Sequence, residues 1–129
     1  MSQVQGQLHH KFKAFSGQLA ADGTIGAIAG EVEAWAAGAR VAPKSIGVEF
    51  LEAAQRLVLT IGYRDDEPPY GVGLTCVRLG RFEALDAPEL DRLQTAMGDA
   101  GARLDKVLCH ELYVTSSNDF MMVFMTHRG

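Results

Sequence analysis

Apolar residues recur every three or four positions in the first third of the chain and mostly every second position afterwards. Val4, Leu8, Phe12, Phe15 and Leu19 form one stripe with Gln, His and Lys between them, which predicts an amphipathic helix. Ser16-Gly17 bends or frays it, and Asp22-Gly23-Thr24 reads as a break followed by an N-cap. From Thr24 the spacing of Ile25, Ile28, Val32, Trp35 and Ala39 predicts a second helix. The alternation in Glu31-Val32-Glu33-Ala34 offers a strand instead, but the helical rhythm covers the longer window. Gly26 and Gly30 each cost that helix about 1 kcal/mol relative to Ala. Their small size would let a neighbouring backbone approach closely. Pro43 stops the segment, because the residue before a proline is pushed out of helical geometry.

The rhythm then changes to two. Ile46, Val48 and Phe50 alternate up to a turn at Glu52 to Gln55, and Leu57, Leu59, Ile61 and Tyr63 continue the alternation beyond it. These predict a hairpin. Arg64 to Pro69, with two prolines and three carboxylates, has to be a loop. A third strand is expected through Val72, Leu74, Cys76 and Arg78, ending at Gly80. Asp86 is a strong N-cap, Glu89 completes a capping-box-like pair, and Leu85 with Leu90 has the spacing of a hydrophobic staple. Leu90, Leu93, Met97 and Ala100 carry the stripe of the helix that follows. Lys106 to Thr115 and Phe120 to His127 read as a last pair of strands, joined by a turn at Ser116 to Asp119. The expected fold is therefore α+β. It is a single domain over 1–129, with a largely antiparallel sheet of about five strands. Two N-terminal helices and one helix between the third and fourth strands pack on one face of that sheet.

Composition narrows the class. At 129 residues the chain is long enough to bury about two thirds of its surface in one core. Hydrophobic residues at 47% and charged residues at 22% exclude disordered and fibrous architectures. The formal net charge of −4 disfavours nucleic acid as a partner, since phosphate binding needs a basic face. No apolar run is long enough for a membrane helix, and the first ten residues lack the pattern of a secretory signal. Cys76 and Cys109 sit inside strand-like segments, which fits reduced thiols and a cytoplasmic location. The Ala and Gly content fits a bacterial source.

Candidate chemistry is sparse. If the last turn leaves an even-length loop, Leu108, His110, Leu112 and Val114 share a face with Met121, Val123, Met125 and His127. His110 and His127 would then be neighbours able to share a metal or act as acid and base, with Cys76 as a further ligand. A packed apolar core with a polar residue near one end is the stronger reading, and an odd-length loop parts the histidines. The other face would carry Cys109, Glu111, Tyr113, Phe120, Met122 and Phe124. Glu111 among aromatics suits a carboxylate with a raised pKa, though such a Glu more often meets an Arg or an oligomer interface. A face this apolar, opposite one already covered by helices, calls for a partner, and a homodimer is the economical answer.

Asp65, Asp66, Glu67 and Tyr70 form a candidate interaction loop that lacks the ligand spacing and glycine of a calcium loop. Gly71-Val-Gly73 precedes a strand, so it gives a phosphate no helix N-terminus. No nucleophile elbow, phosphate loop or Cys-x-x-Cys motif occurs. No cofactor is expected. The leading expectation is a non-catalytic homo-oligomeric module that binds a protein or a small molecule. A small metal-dependent or acid–base enzyme using His110, His127 and Glu111 is the alternative.

Overall fold

The computed structural model describes residues 9–128. Its centre is set by the strand with the cleanest alternation. Leu57, Leu59 and Ile61 are each fully buried, and they point to one face of β3 (Arg56–Arg64). This strand pairs antiparallel with β1 (His10–Gln18) on one side and β2 (Ala42–Leu51) on the other. A second antiparallel sheet has the order β4-β6-β5, from β4 (Gly71–Arg81), β5 (Val107–Val114) and β6 (Asp119–Arg128). The sheets approach each other where β2 passes β5.

One helix serves both sheets. Ile28, Val32 and Ala36 of α1 (Ile28–Ala39) are buried with Ile46, Leu57, Leu59 and Ile61 of the first sheet. The same cluster holds Val72, Leu74, Met121, Val123 and Met125 of the second. The helix α2 (Ala87–Ala102) covers the opposite face of the second sheet, where Ala100 packs with Met122 and Phe124. The central strand β6 is thus covered on both faces. That accounts for its unbroken buried run from Met121 to Met125, the pattern of a strand with no solvent side.

The architecture remains α+β and antiparallel but differs from the expectation in three ways. Among the described residues there are six strands in two three-stranded sheets rather than about five in one. The helices lie on different sides of the second sheet instead of sharing one face. The first predicted helix is absent among the described residues, and His10–Gln18 is a strand. Its three-four stripe is coincidental. On a strand Phe12 and Phe15 point to opposite faces, and Phe15 reaches the core cluster while Phe12 stays 70% exposed. Val4 and Leu8 of that stripe lie outside the described residues.

The second predicted helix does form, starting at Ile28 rather than Thr24. Asp22 caps a turn of its own, accepting from the Thr24 amide at 3.1 Å and the Thr24 hydroxyl at 2.7 Å. Gly26 then takes a left-handed φ of +59°, which explains that glycine. A Cβ at Gly30 would meet nothing within 4 Å, so no close backbone approach explains that one.

At α2 the capping pattern is realised with a difference. The Asp86 side chain accepts from the Glu89 amide at 3.1 Å. The Glu89 carboxylate reaches further back than a standard capping box and accepts from Leu85, Ala84 and Glu83 at 2.6, 2.8 and 3.2 Å. These bonds hold Leu85 at a φ of +52°, a region a branched side chain rarely enters. Leu85 and Leu90 remain 41% and 42% exposed, so no buried staple forms.

Two outcomes follow for stability. The three amides hold the Glu89 carboxyl below its ordinary value, so its contribution is full above the unfolded titration range and fades as pH falls through the lower folded value. In thermal melts Glu89→Gln lowers Tm at neutral pH, and the difference shrinks in acid. Gly98 is an exposed interior position of α2 where a Cβ meets nothing within 4 Å. Gly98→Ala raises stability by about 0.5–1 kcal/mol in urea unfolding.

Candidate interaction surface

The last hairpin decides the fate of the histidine pair. Val114 pairs with Phe120, leaving an odd-length connection from Thr115 to Asp119. His110 therefore stands opposite Phe124 on the side of α2, exposed, with its ring 6.5 Å from the Phe124 ring. His127 stands opposite Val72 at the other end of the core face. The structure parts them, because a shift of one residue reverses every side chain of a strand. The face expected to need a partner is divided in the same way. Cys109, Glu111 and Tyr113 pair with Met125, Val123 and Met121 on the side of the core shared with the first sheet. Phe120, Met122 and Phe124 lie on the α2 side.

Other sequence signals meet instead. Tyr70 stacks on His127 at 4.4 Å between ring centroids and 26° between planes. The Tyr70 hydroxyl donates to the Pro43 carbonyl, and the buried Nδ1 of His127 has no hydrogen-bond partner. Cys76 lies 3.4 Å from the Tyr113 hydroxyl, which donates to the Gly23 carbonyl at 2.5 Å. Burial raises the Cys76 thiol above its ordinary value. Burial, with Glu111 nearby, pushes Cys109 up to about 11. Both thiols are therefore protonated and poor nucleophiles at neutral pH. Glu111 borders a shallow hollow of about 390 Å³ where β5 passes β2, together with Gly47, Glu49 and Thr60.

The acidic loop is a clasp on the first sheet. Asp65 binds Lys11 at 2.8 Å and His9 at 3.0 Å, and Glu67 binds Lys44 at 2.5 Å. Asp66 takes two bonds from the Arg64 guanidinium, at 2.8 and 2.7 Å. His9, Asp65 and Asp66 bring ligand atoms within 4.8 Å of one another, but Lys11 and Arg64 already neutralise the carboxylates. These groups sit in water, so the pairs organise the loop more than they stabilise the fold.

The least covered surface lies elsewhere, on the outer face of the first sheet. Pairing places Phe12, Ala14 and Ser16 of β1 beside Gly62, Thr60 and Val58 of β3 on that face. No helix packs there among the described residues. The ring of Phe12 lies against the Gly62 backbone, where a Cβ would come 3.3 Å from Cε1, an aromatic covering a strand glycine. Leu51, also on this face, is 47% exposed. Sequence reading missed the surface because it assigned Phe12 to a helix stripe.

The sheet edges differ as well. On β4 the Leu74 amide donates to the Glu33 carboxylate of α1 at 2.8 Å, so a side chain occupies that edge. Along β1 nothing comparable is present among the described residues. Comparison with protein-family models, curated proteins and solved structures gives no match.

The clasp makes a direct prediction. The Arg64 guanidinium holds the Asp66 carboxyl at about 2, below its ordinary 3.8. In Arg64→Gln the Asp66 midpoint rises toward 3.8 in a carboxyl NMR titration, while the melting temperature changes little.

Proposed function

We propose that the chain is a non-catalytic interaction module that acts as a homo-oligomer through its first sheet. One observation carries the reading. α1 covers the inner faces of both sheets and α2 the outer face of the second, while the outer face of the first carries Phe12 at 70% exposure. Phe12 and Leu51 lie at opposite ends of that face, so the reading rests on an uncovered sheet face with one exposed aromatic and not on a continuous apolar patch. The partner expected from the sequence is retained, but its seat moves from the last hairpin to the first sheet. A cytoplasmic location belongs to the same proposal. It is supported by two partly buried free thiols and by the lack, among the described residues, of a helix long and apolar enough to cross a membrane. The enzyme alternative loses its main support, since His110 and His127 do not share a face.

Native mass spectrometry with sedimentation velocity over a concentration series tests this. The account expects a species of twice the 13.9 kDa monomer, growing with concentration. Phe12→Glu is expected to weaken the association tenfold or more, with only a small drop in the monomer's melting temperature from the lost cover over Gly62. A strict monomer at high micromolar concentration overturns the proposal.

A further inference from the structure

We infer that two copies join edge to edge along β1, antiparallel, with Ala14 on the two-fold axis. This rests on the homo-oligomer reading above and specifies its geometry. The backbone shows which groups are free. The ladder between β1 and β3 extends to a bond from the Asp65 amide to the His9 carbonyl at 3.4 Å. In an antiparallel pair, residues alternate between bonding the neighbour and facing away. His9, Lys11, Lys13, Phe15 and Gly17 therefore bond toward β3, and His10, Phe12, Ala14, Ser16 and Gln18 point their amides and carbonyls outward. The other outer edge is stopped by Glu33. Among the described residues the outward groups of β1 have no backbone partner, and such an edge is a template for another strand.

Register selects the partner. With Ala14 opposite the partner's Ala14, all of His10–Gln18 is matched, from His10 against the partner's Gln18 inward. Lys11 then faces the partner's Gly17 and Lys13 faces the partner's Phe15. Moving the axis to Phe12 sets Lys11 opposite the partner's Lys13, and moving it to Lys13 sets two lysines face to face. Like charges directly opposite are destabilising. Moving it to Phe15 or Ser16 leaves at least His10 and Lys11 unmatched. The lysines, residues that commonly guard an edge, here penalise the wrong registers while tolerating one. The closest lysine approach is then the diagonal one between the two Lys13 side chains, about 7–8 Å. Lys13 already extends over the Phe15 ring, with Nζ 6.0 Å from its centroid.

The same register gives Phe12 a seat. It stands opposite the partner's Ser16 and diagonal to the partner's Ala14, two small residues on the same outer face. Small side chains there leave room for a ring that is 70% exposed in the single chain.

Residue-resolved hydrogen exchange by NMR, at dilute and concentrated protein, tests the inference. Phe12, Ala14 and Ser16 amides should gain at least tenfold protection with dimerisation, while Lys13 and Phe15 amides stay protected at both concentrations. Ala14→Pro removes an outward amide and spares the ladder to β3, a position where an edge strand tolerates proline. It should weaken dimerisation at least tenfold. Should that variant fail to fold, a spin label on Ala14→Cys supplies the reading, through strong dipolar coupling between two labels across the axis. A dimer with freely exchanging Phe12, Ala14 and Ser16 amides, with its affinity intact in Ala14→Pro, or with uncoupled labels overturns the edge geometry and leaves the homo-oligomer reading standing. A monomer at every concentration overturns both.

Discussion

The buried stripe of α1 is the constraint on which the rest of the molecule depends. Ile28, Val32 and Ala36 meet the inner faces of both sheets at once, so a twelve-residue helix must serve two sheets. A second sheet face then remains on each side, and the described residues hold one more helix to cover them. α2 takes the outer face of β4-β6-β5. Among the described residues the outer face of β1-β3-β2 is left bare, and its exposure is a consequence of helix supply rather than of local sequence. Truncating Val32 to Ala would disturb both sheets together, because their inner faces meet on that one stripe.

Local signals were legible where they were strong and self-contained. The Asp86 and Glu89 pattern announces α2, and the alternation of Leu57, Leu59 and Ile61 announces β3. The second helix was also legible, because Ile28, Val32, Trp35 and Ala39 keep the helical spacing across Gly30 and Gly38. What failed depended on distant partners. Phe12, Phe15 and Leu19 fit a helix as well as a strand, and only the open edge of β3 settles the choice. The same blindness hid the second sheet, since strand order is written in tertiary contacts.

The candidate site shows the limit most plainly. Whether His110 and His127 share a face turns on one residue in the connection from Thr115 to Asp119. The pattern Phe120-Met-Met-Val-Phe-Met125 is apolar on both faces, so it gave the register no preference. Tyr70 and His127 were each visible, but their stacking brings together the ends of different strands. The acidic loop was legible as a loop. Its ties to His9, Lys11 and Lys44 were not, because those groups come from β2, from β1 and from the residue that leads into β1.

Small-angle scattering over a concentration series tests the central claim most directly, because it reports the shape of the association product. A single folded chain of this length has a radius of gyration of about 14 Å. The account predicts that it rises with concentration toward a flat, elongated dimer whose longest dimension approaches twice that of the monomer. A compact dimer, stacked face on face, would contradict the edge geometry. An unchanged monomer curve at every concentration would contradict the whole functional reading.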